Sequence, residues 1–125
     1  MTTTRRLLAA VIALLAVGIV LPGCASPQMA RGPVLSKNLA DGVYRATSFQ
    51  FPNRAVVEVT IEKQRVEAVR VVSHWAGMGY KAEGPVSQRI VEKQSTQVDA
   101  VTGATNSSQT IMKAAQKAIE KAYAK

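Results

Sequence analysis

The sequence predicts an α+β fold in which a small antiparallel sheet of about three strands is covered by two helices. Three stretches predict it. In "RAVVEVTIE" Val57, Val59 and Ile61 fall on one face and Glu58, Thr60 and Glu62 on the other, the alternation of a half-buried strand. "RVEAVRVVSH" follows after the polar break at Lys63 and Gln64, and its β-branched residues suit an antiparallel neighbour. Near the end of the chain Ile111, Ala114, Ala115, Ala118, Ile119, Ala122 and Tyr123 recur at the period of an amphipathic helix. An isolated sheet this small is marginal in water, so the helices must cover one of its faces.

Taken in order, the chain opens with Arg5 and Arg6, an apolar run of 15 residues from Leu7 to Leu21, and small residues before Cys24. The run is shorter than the roughly 20 residues a spanning helix needs, so a cleaved export signal over residues 1–23 is expected. Cys24 is the single cysteine, which rules out a disulfide framework within one chain. "LPGC" resembles a bacterial lipobox, which implies lipidation of Cys24 and an extracytoplasmic location on a bacterial membrane. Residues 24–38, with Pro27, Gly32 and Pro33, read as a flexible tether. The folded domain is expected over residues 39–125.

Within that domain Asp41 and Gly42 supply turn chemistry, and Val43, Tyr44, Thr47 and Phe49 suit a first strand. Pro52 and Asn53 break it from the second strand. No glycine marks the turn at Lys63 and Gln64, which leaves its type open. "WAGMGYKAEG" reads as a glycine-rich covering loop, and Pro85 opens a short helix in which Val86 and Ile90 face inward. Lys113, Lys117 and Lys121 form a row on the last helix and read as solvated surface.

Composition removes several function classes. The chain carries 16 basic and 8 acidic residues, and without Arg5 and Arg6 the balance is 14 to 8, near +6. The basic residues are scattered singly with no interleaved aromatic stripe, so a nucleic-acid partner is not expected. His74 is the single histidine, which excludes a histidine-rich metal site, and no Ser-His-Asp or paired-carboxylate pattern is present. His74 is expected at the surface of a strand end. Trp75 and Tyr80 are expected to close the core, with stacking on a cofactor ring as the alternative, and Met78 to fill a gap.

"DAVTGATNSS", residues 99–108, is the most strongly patterned loop. Asn106 followed by Gln109 fits a capping box, placing the start of the last helix at Ser107 with Thr105 just outside its mouth. Gly103 permits positive φ and Ala104 keeps the approach uncrowded. Free N–H groups and the positive end of the helix dipole suit a phosphate there. Asp99 either bonds its own loop or presents it to a partner.

Asp99, Ala100, Val101, Thr102, Gly103, Ala104 and Thr105 resemble the D-x-x-[ST]-G-A-[TS] signature of the FMN-binding domain family. That family includes domains of the C subunit of sodium-pumping NADH:quinone reductase and the G subunit of Rnf complexes. "DGVY", "VEAVRVVSH", "QRIVEKQSTQVDAVTGAT" and the alanine-rich last helix fall in the family's order from Asp41 to about Tyr123. The sequence departs from the family where His74 is followed by Trp75, Ala76 and Gly77, since relatives often carry a Glu-Thr pair shortly after the histidine.

The resemblance implies FMN held by a phosphoester on Thr105, transferred from FAD by a magnesium-dependent flavin transferase with release of AMP. It implies a cofactor site of Thr102, Gly103, Ala104, Thr105, Asn106, Ser107 and Asp99, with His74, Trp75 and Tyr80 as possible ring contacts. A covalent flavin is retained outside the cytoplasm, where a dissociable one would be diluted away. The expected role is an electron carrier more than a turnover enzyme, taking electrons from a membrane redox protein or quinone reductase and passing them to an unidentified acceptor. The alternatives are a reversible FMN-binding sensor module and a flavin-free lipoprotein with a structural or interaction role.

Overall fold

The structure is a computed structural model and describes Gly32 and residues 38–123. The expected export signal, Cys24 and nearly all of the tether lie outside the described residues. Three strands, β1 (Gly42–Gln50), β2 (Asn53–Glu62) and β3 (Arg65–Trp75), form an antiparallel sheet in the order β1-β2-β3. A 3-10 segment (Gly77–Ala82) runs directly into helix α1 (Glu83–Lys93), and helix α2 (Thr105–Tyr123) closes the fold. This is the α+β architecture expected, with the glycine-rich loop coiled into the 3-10 segment.

The central strand follows its alternation: Ala55, Val57, Val59 and Ile61 are fully buried and face α2. Strand β3 does not alternate simply. The register steps from Val56↔Ser73 to Val57↔Val71, and from Thr60↔Ala68 to Ile61↔Val66, so Val72 and Glu67 are extra residues in two bulges. Each bulge re-aims the side chains that follow it. The inward positions become Val66, Val69, Val71 and His74, spaced three, two and three residues apart.

Both hairpins turn tightly. β1 and β2 join through Phe51 and Pro52, whose peptide bond is cis. Lys63 and Gln64 both adopt positive φ, 51° and 65°, the backbone of a primed hairpin turn made without glycine. Gln64 offsets the cost of this conformation because its side-chain amide accepts from the Leu39 N–H at 3.0 Å and donates to the Leu39 carbonyl at 2.7 Å. Leu39 is itself buried in the core.

Helix α2 spans 19 residues, about 28 Å at the rise of an α-helix, and buries Ile111, Ala114, Ala115, Ala118, Ile119 and Ala122 as its sequence period requires. The lysine row is not simply solvated. Lys113 Nζ donates to Gln50 Oε1 at 2.8 Å, and Lys117 and Lys121 donate to the carbonyls of Thr47 and Arg45. β1 is an edge strand, and Lys117 and Lys121 occupy two of its backbone carbonyls, one way of blunting an open sheet edge. Helix α1 buries Val86 and Ile90 and ends at Gln94, whose φ is 48°. The Gln94 side chain bonds both the N–H and the carbonyl of Val66, tying α1 to the start of β3.

On the open face of the sheet Arg45, Glu58 and Arg70 lie in register across all three strands. Hydrogen bonds from Arg45 at 2.8 Å and Arg70 at 3.1 Å hold the Glu58 carboxyl below its ordinary value of 4.5. A depressed carboxylate stabilises the fold above its unfolded pKa, and that stabilisation is lost as pH falls through the folded value. Glu58→Gln is therefore expected to unfold at lower temperature than the wild type at pH 7, with the two midpoints converging well below pH 4.5 in a thermal melt series.

Candidate cofactor site

The site is built where the loop after α1 enters α2. Ala104 N–H donates to the Val101 carbonyl at 2.9 Å, closing a turn in which Gly103 has φ of 76°. That positive φ at the third turn position favours glycine, as in a type II turn. The Ala104 carbonyl then accepts from the Ser108 N–H at 2.9 Å, the first bond of the helix. Ser108 Oγ donates to the same carbonyl at 2.8 Å and accepts from the Val101 N–H at 3.0 Å. Ser108, fully buried, thus fixes the loop to the helix from beneath.

The helix begins at Thr105, two residues earlier than the capping-box pattern predicts, because Ala104 supplies its first acceptor. Asn106 is not the cap: its Nδ2 donates to the Phe51 carbonyl at 3.3 Å, and Gln109 instead accepts from Gln50. Thr105 therefore lies on the first turn, exposed, and its hydroxyl makes no hydrogen bond among the described residues. The N–H groups of Thr105, Asn106 and Ser107 belong to the set that a helix cannot satisfy internally. Thr102 and Gly103 are exposed beside them.

Two contacts carry the rest of the fold to this turn. Asn53 Nδ2 donates to Ser107 Oγ at 2.9 Å inside the protein, joining the start of β2 to α2. On the other side Gly79 backs onto Ser107 so closely that a Cβ there would lie 1.9 Å from Ser107 Oγ. Lys81, two residues on, reaches over the loop, and a Cβ on Gly103 would lie 2.8 Å from its Nζ. Asp99 stands apart. Its carbonyl accepts from Arg89 at 2.7 Å, and its carboxylate faces Lys93 at 3.8 Å without an Asx-turn to its own loop.

Around the turn lie two open grooves, one of about 280 Å³ lined by Pro52, Asn53, Trp75, Ala76 and Gly77 and one of about 340 Å³ lined by Gln97, Val98, Ala100, Gln109 and Met112. Trp75 and Tyr80 do not close the core: they are 70% and 53% exposed, and Met78 is 91% exposed rather than filling a gap. Phe49, Arg54 and Trp75 form a cross-strand row at this end of the sheet, with Phe51 edge-on to Phe49 at 6.5 Å.

His74 is the reverse case. Its side chain is fully buried rather than at the surface, because the second bulge of β3 turns it inward. Nδ1 meets Glu83 Oε1 at 2.9 Å, Nε2 is buried without a hydrogen-bond partner among the described residues, and Tyr80 stands edge-on at 5.7 Å. Sequence reasoning missed Asn53, Gly79 and Lys81. Asn53 and Ser107 are 54 positions apart, and nothing local in the chain announces that they meet.

The Gly79 contact is testable by comparison with Gly84, where an added Cβ meets nothing within 4 Å. In urea unfolding, Gly79→Ala is expected to lose about 1–3 kcal/mol by overpacking. Gly84→Ala is expected to be neutral or to gain up to about 1 kcal/mol.

Comparison with known proteins bears on what this turn serves. An uncharacterized protein from Treponema pallidum (strain Nichols) is 40% identical over 85 residues, covering 66% of this chain and 23% of that protein. The chain therefore spans under a quarter of the length of that curated relative. The crystal structure of the CPE2226 protein from Clostridium perfringens shares the fold, with a TM-score of 0.57 and 21% identity over 67% of this chain and 88% of that one. The family model described as FMN-binding domain matches residues 53–120, from the start of β2 through nearly all of α2, and the chain belongs to that family.

Proposed function

We propose that this chain is a covalent flavoprotein that carries FMN on Thr105 and relays electrons outside the cytoplasm. The observation that carries the reading is the exposed, unbonded Thr105 hydroxyl on the first turn of α2, directly after the Gly103 turn, within the matched FMN-binding domain. The surroundings fit a flavin phosphate. The first N–H groups of the helix are left without internal acceptors, Gly103 adds no side chain where Lys81 Nζ comes over the loop, and the Asp99 carboxylate is turned toward Lys93 instead of the helix mouth.

In this reading Thr105 Oγ1 forms the phosphoester bond. It displaces AMP from the FMN phosphorus of FAD, the pyrophosphate bond breaks, and AMP leaves with the hydroxyl proton. Among the described residues none hydrogen-bonds the Thr105 hydroxyl as a base would, so in this reading a magnesium-dependent flavin transferase supplies the activation. Thr102, Gly103, Ala104, Asn106 and Ser107 shape the turn around the phosphate. Trp75 and Tyr80, exposed on the same side, offer aromatic faces to the ring, whereas buried His74 acts only from behind them.

FMN supplies the redox chemistry when bound, and the protein supplies its position and electrostatic surroundings. Lipidation at Cys24 would keep the domain at a bacterial membrane, where a membrane redox protein or quinone reductase is the fitting donor. The acceptor is a second protein or small molecule reached from the exposed end of the sheet.

The chain co-expressed with a flavin transferase and exported is expected to show flavin fluorescence that survives a denaturing gel. Thr105→Ala is expected to be dark and Thr47→Ala, an exposed position on β1 outside the site, to remain fluorescent. Fluorescence lost from the wild type on denaturation, with FMN recovered free, would mean reversible binding instead.

A further inference from the structure

We propose that Lys81 is the counter-ion of the phosphate on Thr105, and that the 3-10 segment carrying it is clamped to α2 in order to hold it there. This rests on the reading of Thr105 as the attachment site.

The placement comes from two glycines. Gly79 backs onto the buried Ser107, whose Oγ is already held by Asn53 at 2.9 Å, so the 3-10 segment sits against the first turn of α2 with no side chain between them. Its backbone is fixed further by the Gly79 N–H, which donates to the Ala76 carbonyl at 2.8 Å. Lys81 therefore emerges beside the loop, with Nζ 2.8 Å from where a Cβ on Gly103 would lie.

Electrostatically this is an odd place for an ammonium group with no anion nearby. It stands near the positive end of the α2 dipole, where a cation is disfavoured. Lys81 makes no hydrogen bond or ion pair among the described residues. Glu83, two residues on, bonds His74 at 2.9 Å, and Asp99, at the start of the loop, faces Lys93 at 3.8 Å. A phosphodiester on Thr105 carries one negative charge, and the Lys81 ammonium together with the free N–H groups of the first turn would neutralise it.

The test uses the full chain, exported and co-expressed with a flavin transferase, as wild type, Lys81→Met and Lys81→Arg. Two quantities are read: the initial rate of FMN addition by intact mass, and the difference in melting temperature between loaded and unloaded protein at low and high sodium chloride. Wild type is expected to melt higher when loaded, with the difference shrinking in salt as a charge contact is screened. Lys81→Met is expected to load about three- to tenfold more slowly, as loss of an exposed charge-assisted contact would give. The difference between its loaded and unloaded forms is expected to be smaller than in wild type and less sensitive to salt, and Lys81→Arg to recover both behaviours.

Recognition of Lys81 by the transferase alone would slow loading but leave the melting difference intact, and that result would overturn the proposal. So would a Lys81→Met chain indistinguishable from wild type in both readouts. A wild type that takes up no FMN at all would overturn the attachment at Thr105 itself, and the role of Lys81 with it.

Discussion

The packing of α2 across the sheet is the constraint on which everything else depends. Its inward stripe is mostly alanine, so the helix lies close over Val57, Val59 and Ile61 of the central strand, with Ile111 and Ile119 filling the space between. Burial of such side chains contributes on the order of 1–3 kcal/mol each for the larger ones. A helix seated this closely has little freedom to rotate or slide. Its first turn is thereby delivered to one end of the sheet, beside the β1–β2 turn and the 3-10 segment, and the site is a consequence of where that turn lands.

The apolar stripe gives way to hydroxyls at that end. Ser107, Ser108 and Thr110 are buried on α2, and each has a partner: Asn53, the Ala104 carbonyl and the Asn106 carbonyl. Buried polar groups that are fully satisfied rigidify a structure, whereas unpaired ones cost free energy. The effect here is a loop whose shape is set from below by serine side chains, leaving the upper surface of the turn free of internal bonds. Small residues on that surface and a cation reaching over it are what a phosphate needs.

Much of this was legible in the chain. The 3.6 period from Ile111 to Tyr123 and the alternation from Val57 to Glu62 specify α2 and β2 because each has one buried face. The loop motif pointed to the helix mouth for the same local reason. What escaped notice depends on contacts distant in sequence. The bulges at Glu67 and Val72 turn His74 inward, and their positions are set by pairing with β2 rather than by any residue type. Asn106 and Gln109 match a capping box in spacing, yet both side chains are drawn to the β1–β2 hairpin, and the helix starts at Thr105 instead. Aromatic residues in a small protein suggest core, but Trp75 and Tyr80 face outward, as does Met78, and the interior is filled instead mostly by aliphatic side chains and alanines.

The account turns on whether the prepared surface at the start of α2 carries a flavin, and peptide mass spectrometry addresses that most directly. The exported chain, produced with an active flavin transferase, is digested after Lys93 and Lys113 to release residues 94–113. The account predicts that this peptide gains the mass of FMN less one water, with fragmentation placing it on Thr105. An unmodified peptide, alongside a control substrate fully loaded by the same transferase, would contradict it.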